Sequence, residues 1–427
     1  MAERRKRTRS AILGLIEDHR PSRDLLDRYS ADYSMYRQDE YVEPEGEGLD
    51  YRHYTSNAPA VFADKLISLI AKAVPIVKIP HVIKNPVANP EANNRRNDRE
   101  VNDAAERFYI GILRSVDERL GQMGLTKLQN IWGFYASIRG GPVMGRALLV
   151  KEEDGEDSEG EPQTKTFADI MPWDPTHVSY ELGHEGLVWA AYSIKMSRAE
   201  IKSKYGVTIS QDEDTQAGDD GVLVHDFYDA HYNYVLTEDL EEGFRKFLKP
   251  ATPHGSPRVP VVFCSVGFAP PLQNGGGTAD GIKADYNESV FKNIRGINNN
   301  NNLIMSILLE LVARSREQAK KIFSADGSKT LEGENPDATG VDIPLRTGEE
   351  DIVPLGTLEA AKETGSLLAL ISGEYQRGSL PNTVYGELPF QLSGFAITQL
   401  RQGVETSLEA PLDATVQAML QALRLIK

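Results

Sequence analysis

Glu288–Arg316 reads ESVFKNIRGINNNNNLIMSILLELVARSR. Apolar residues fall at Val290, Phe291, Ile294, Ile297, Ile304, Ile307, Leu308 and Leu311, a stripe along one face of a helix. The seam Val290, Ile294, Ile297, Asn301, Ile304, Leu308, Leu311 alternates spacings of four and three, as a heptad does, and only Asn301 in it is polar. At the usual rise per residue such a helix is about 43 Å long. A rod of that length carrying the run Asn298–Asn302 is unlike the core helix of an ordinary enzyme. It reads as a strut that packs against copies of itself or against another long helix. The asparagines leave two readings, a polar loop that breaks the helix or a continuous helix. Because the heptad phase resumes at Ile304, the continuous helix is expected. Its Asn side chains would then bond across a subunit interface or face a wet channel.

On the N-terminal side of the rod lies a glycine-rich linker, QNGGGTADG, residues 273–281. Before it, residues 140–270 have the texture of strands: Pro142–Val150 and Thr166–Met171 around the acidic hairpin tip KEEDGEDSEGEPQTK, then His177–Glu181, Leu187–Ile194, Val222–Asp229, Tyr232–Leu236 and Val259–Val266. A short helix is expected at Ser197–Tyr205. Residues 1–135 read as mainly helical, with helices at Ala58–Val74, Asn102–Leu120 and Leu125–Arg139, the last ending at Gly140–Gly141. On the C-terminal side, Lys320–Thr357 is short, charged and broken by glycine and proline, with small strands expected at Ile343–Arg346 and Asp351–Leu355. A helix returns from Leu358 to about Tyr375, and RGSLPNTVYGELPFQLSG (377–394) holds too many prolines and glycines for regular structure. Ser393 is placed to cap a final helix, which Pro411 should kink.

The length suggests two or three modules. The chain has 427 residues, 40% of them hydrophobic, and a formal net charge of −16. That balance disfavours a tight nucleic-acid binder, whose affinity comes mostly from Lys and Arg. It still allows a protein past which DNA slides. Cys264 is the only cysteine, which rules out an internal disulfide or a thiolate metal cage and suits a reducing cytoplasm. The apolar stretch Ala11–Ile16 stops at Glu17, too short for a signal-peptide core, and no segment reads as a membrane span, so a soluble intracellular protein is expected.

No spacing in the chain matches a catalytic constellation. GSKT at Gly327–Thr330 has Ser328 where a phosphate loop needs glycine before the lysine. Neither G-x-S-x-G nor H-E-x-x-H occurs. His177, His184, His225 and His231 lack metal-ligand spacing and read as structural. Glu152–Glu153 and Glu349–Glu350 read as solubilising loop charge, and Cys264 in PVVFCSV as an inert buried thiol. Catalysis, cofactor and metal are therefore not expected. The basic cluster Arg4, Arg5, Lys6, Arg7 and Arg9 reads as a flexible solvated tail, with contact to nucleic acid or to another protein as the other reading.

The order of elements resembles that of the portal proteins of tailed bacteriophages. Local stretches do too. YTSNAPAVFADKLISLIAKAVPI (54–76) resembles the early helix of the siphophage-type portals, and RGGPVMGRALLV (139–150) the turn into their wing sheet. MPWDPTHVSYELGHEGLVWAAYSIKMSRAEIKSKYG (171–206) is similar to their wing strands and short helix, and LSGFAITQL (392–400) to the helix after the tunnel loop. The resemblance covers about residues 54–416 and rests on the order of these stretches rather than on any one of them.

It implies an α+β portal fold: a wing over residues 1–284, a stem helix over 285–316, a clip over 317–357, a returning stem helix over 358–379, a tunnel loop over 380–394, and a kinked helix over 395–427. The last would lead toward a crown that is minimal or truncated at Lys427. It further implies a closed ring, dodecameric by the family's pattern, made by one heterologous contact repeated around an axis. Ile294, Ile297, Asn301, Ile304, Leu308 and Leu311 would pack between neighbouring stems. Leu380, Pro381, Asn382, Thr383, Val384, Tyr385, Gly386, Glu387, Leu388, Pro389 and Phe390 would form a loop facing DNA, their apolar members serving either as a mobile collar or as helix-packing filler. Lys329, Glu332, Glu334, Asp342, Arg346, Glu349 and Glu350 would dock the terminase large subunit and later a head–tail adaptor. Implied partners are double-stranded DNA in loose transit and the major capsid and scaffolding proteins, with no membrane. The implied place is the portal vertex of the virion, assembled in the host cytoplasm. Another head–tail adaptor or minor capsid protein is the alternative, and an intracellular hydrolase a more distant one.

Overall fold

The computed structural model describes residues 6–41, 53–73, 77–78, 95–156, 162–209, 221–238, 247–267, 288–316, 320–324, 350–354, 364–378 and 394–426. The chain is α+β and separates into two compact units. One holds Met1–Tyr33, Ala63–Lys292 and Ser393–Lys427; the other holds Ser34–Phe62 and Asn293–Leu392.

The first unit is built on two antiparallel sheets. One has three strands in the order β2–β1–β8: β1 is Val143–Glu156, β2 Pro162–Trp173 and β8 Val261–Cys264. The other is a meander of β3 (Val178–Gly183), β4 (Gly186–Ser197), β5 (Gly221–Asp229), β6 (Tyr232–Thr237) and β7 (Lys249–Pro253). Side chains alternate across each strand. Met144 faces a core shared by the two sheets, with Trp173, Val178, Tyr180, Ala190 and Tyr228. Val143 and Ala147, its neighbours on β1, face a helical layer instead.

That layer is formed by α4 (Arg95–Gln122), α5 (Leu128–Phe134) and the C-terminal half of α9 (Gly394–Ile426). Ala414, Ala418 and Ala422 recur every fourth residue on α9, and their small side chains let its backbone lie close against β1 and β8. The helix expected to lead toward a crown thus ends inside this core. It continues through Pro411, and the hydroxyl of Thr415 donates to the Pro411 carbonyl at 2.8 Å.

Beyond the five-stranded sheet lies α1 (Arg9–Asp18), which buries Ile12 and Ile16 among Trp189, Ala191, Phe227, Tyr234 and Leu236. This corrects the reading of a solvated basic tail. The guanidinium of Arg9 donates to the carbonyls of Thr237 and Glu238 at 2.9 and 2.7 Å. Arg7 pairs with Asp229 at 3.5 Å, and Lys6 lies over the Tyr232 ring. The cations clamp an amphipathic helix rather than wave in water. Arg4 and Arg5 lie outside the described residues.

A helix α2 (Arg23–Arg37) follows α1, and α3 (Ala58–Lys72) buries Ala63, Leu66 and Ile70. The side-chain amide of Gln129 donates to the carbonyls of Ile70 and Ala73 at 2.6 and 2.7 Å, which satisfies two of the acceptors that a helix end leaves open. The short helix α6 (Arg198–Tyr205) starts at Ser197, whose hydroxyl accepts the Glu200 N–H. The second unit is an excursion out and back: α7 (Arg295–Arg316), β9 (Lys320–Ser324), β10 (Glu350–Pro354) and α8 (Thr364–Gly378). β9 and β10 pair antiparallel, Glu350 opposite Ser324 and Pro354 opposite Lys320, and α7 and α8 touch.

Candidate assembly surface

The long helix begins at Arg295, seven residues later than the heptad pattern indicates, which shortens it to about 33 Å. The delay has a local cause. Leu125–Arg139, expected as one helix, changes at Tyr135 into a π-helical turn, and Gly140 closes it in the left-handed region at φ 59°. The Ser137 carbonyl on that turn accepts the Val290 N–H at 2.9 Å, and the Ser289 hydroxyl accepts the Phe291 N–H at 3.2 Å. Glu288 is held by Arg28 at 3.3 Å. Residues 288–291 are thus satisfied by partners outside a helix, and the apolar Val290 and Phe291 serve the root instead of the rod.

On α7 itself the best-buried face is polar. Asn298, Asn302 and Ser306 are 4%, 2% and 8% exposed. Asn302 Oδ1 accepts the backbone N–H of Ser56 at 3.0 Å, and Ser306 Oγ accepts that of Tyr54 at 2.9 Å. The asparagine run is helical, as expected, but Asn302 bonds within its own chain. Of the predicted seam, Ile294 is buried, while Ile297, Asn301, Ile304, Leu308 and Leu311 are half-buried. Ile307 and Val312 are 51% and 65% exposed, and Leu367 and Leu370 on α8 are exposed too. Among the described residues, the two touching helices thus both carry exposed apolar side chains.

The other predicted positions are mostly beyond view. The loop Leu380–Phe390 lies outside the described residues, as do Lys329, Glu332, Glu334, Asp342, Arg346 and Glu349. Glu350 is the first residue of β10.

Two polar clusters in the first unit were not legible in the sequence. Arg146 on β1 reaches Asp169 on β2 at 2.7 Å and Asp226 on β5 at 3.2 Å, tying the two sheets together. Tyr228 and Asn233 donate to the same Asp226 carboxylate, and Arg119 adds a longer pair to Asp169. The second cluster lines up a serine, a histidine and a carboxylate: Ser193 Oγ is 2.8 Å from His225 Nδ1, and His225 Nε2 is 3.7 Å from Glu238. This is a cross-strand pair, Ser193 lying opposite His225 in the β4–β5 register. The imidazole is fully buried, and that burial lowers its pKa. The cluster thus joins a half-buried serine to a buried ring and an exposed carboxylate. Among the described residues no group of His, Cys, Asp or Glu is placed to hold a metal, and no helix is long and apolar enough to cross a membrane.

No family model matches this sequence, and no curated protein does. Among solved structures the chain is similar to one from the virion of a native gene transfer agent particle. The identity is 13% and the TM-score 0.35, over 69% of this chain and 68% of that one.

Proposed function

We propose that this chain is a portal subunit, one stave of a ring that sits at a capsid vertex and passes double-stranded DNA. The observation that carries the proposal is the excursion α7–β9–β10–α8: a long helix, a small antiparallel tip and a returning helix within one compact unit. The sequence stretches that resemble portal wing and tunnel-loop helices supply the context. Apolar side chains left exposed on α7 and α8 give neighbouring staves something to bury.

In this reading the ring works without chemistry of its own. Its negative charge, −16 per copy, faces a duplex with one charge per roughly 1.7 Å, so DNA is repelled from the wall rather than held. Screening over about 8 Å keeps that repulsion short-ranged. The tip docks a separate packaging motor and later an adaptor, while capsid and scaffolding proteins surround the wing.

Negative-stain imaging and native mass spectrometry of the purified chain test the proposal. Rings with a central hole are expected, dodecameric by the family's pattern; a stable monomer at every salt concentration would overturn it. Deleting Pro381–Pro389 should leave ring formation intact and abolish DNA packaging or retention.

A further inference from the structure

The asparagine run gains a role once the strap in front of α3 is considered. Residues 54–56, in neither helix nor strand, run beside α7 antiparallel to it, with Tyr54 N–H on Ser306 Oγ and Ser56 N–H on Asn302 Oδ1. Two residues of extended chain span about 6.6 Å, and four residues of helix rise about 6 Å, so the two ladders stay in step. The helix thus presents acceptors as the edge of a sheet would. Thr55, between the two donors, turns its hydroxyl the other way and accepts the Tyr41 N–H at 2.9 Å. Ser306 is itself fixed, donating to the Asn302 carbonyl at 2.7 Å. The next position down the same face is Asn298, whose side-chain oxygen is buried with no hydrogen-bond partner. Its counterpart on the strap, Ala58, begins α3 and gives its N–H to Ser56 Oγ.

We propose that Asn302 and Ser306 form a reversible latch for the strap Tyr54–Asn57, registered by backbone hydrogen bonds rather than by apolar packing. The latch face and the heptad seam of α7 are centred roughly 140° apart around the helix axis. Release therefore wets two polar side chains and a stretch of backbone, and leaves the seam where it was. A strap held by apolar packing would expose hydrophobic surface each time it lifted and would open only with the core. The inference is independent of the portal reading, because it concerns contacts within one chain.

Native-state amide hydrogen exchange on the full chain tests it. The Tyr54 and Ser56 amides should exchange through local opening, at least about a hundredfold faster than the Phe227 amide in the five-stranded sheet. Asn302→Leu should speed exchange at Ser56 about tenfold further, while Asn298→Leu, which removes an unpaired buried carbonyl, should leave it unchanged or slower. Should Asn302→Leu fail to fold, Ser306→Ala removes one rung and should speed Tyr54. Exchange of the strap only together with the core, or equal effects of the Asn302 and Asn298 substitutions, would overturn the proposal.

Discussion

The backbone N–H of Val290 donates to the carbonyl of Ser137, so the segment entering the long helix is tied to the π-helical turn before β1. Gly140 makes this approach possible. A Cβ there would lie 2.0 Å from the Ser289 nitrogen, and the residue already sits at φ 59°. Gly140→Ala should therefore cost about 3 kcal/mol or more, since backbone must move as well as strain. Gly206 has a similar φ of 66° with nothing near its missing Cβ. Gly206→Ala should cost only about 1 kcal/mol. Thermal unfolding of the pair separates crowding from dihedral strain.

Removing Arg146 leaves Asp169 and Asp226 facing each other across the sheets without their shared cation. Arg146→Met should destabilise the first unit by about 3 kcal/mol in urea unfolding. Arg146→Lys should recover only part of that, because an ammonium cannot fork to two carboxylates.

Deleting residues 1–20 should uncover Trp189 and Phe227, which α1 now buries. A red shift of tryptophan emission and new binding of an apolar dye are expected. If α1 were a loose tail, neither would change. The single change Ile16→Ala should cost about 2–4 kcal/mol.

Stability should fall at alkaline pH. Burial pushes the Cys264 thiol up to about 12 and raises the phenols of Tyr29, Tyr135 and Tyr228. Each group keeps its proton in the folded chain at a pH where the unfolded chain releases it. The contribution is thus full below the ordinary thiol and phenol values and is lost as pH rises beyond them. The melting temperature should drop progressively above about pH 9. At pH 8 the Cys264 thiol should resist alkylation until the protein unfolds.

Part of this molecule is legible in its sequence. Ala58–Val74 and Ser197–Tyr205 carry helical spacing or a capping serine, and the strands at Val222–Asp229 and Tyr232–Leu236 lie within two residues of those observed. Apolar and polar residues do not alternate cleanly along β4 and β5 because both strands are buried on both faces: Ala190 and Tyr228 point to one core, Trp189 and Phe227 to the other. A strand covered on both sides needs no polar face. Ile12 and Ile16 are four residues apart, as a helix needs, but the arginines beside them have the composition of a solvated tail. β7 and β9 carried too few apolar residues to be anticipated.

The sequence by itself determined those local elements that carry clear periodicity or a cap, α3, α6, β5 and β6 among them, because periodicity and capping act within a few residues. It also determined the helical state of the asparagine run, since the apolar phase continues on both sides of it. Only the tertiary structure decided where α7 begins, what Asn302 and Ser306 hold, and which carboxylates share Arg146. Those outcomes depend on groups brought together from distant parts of the chain, and a donor that finds its acceptor 246 positions away leaves no mark on local spacing.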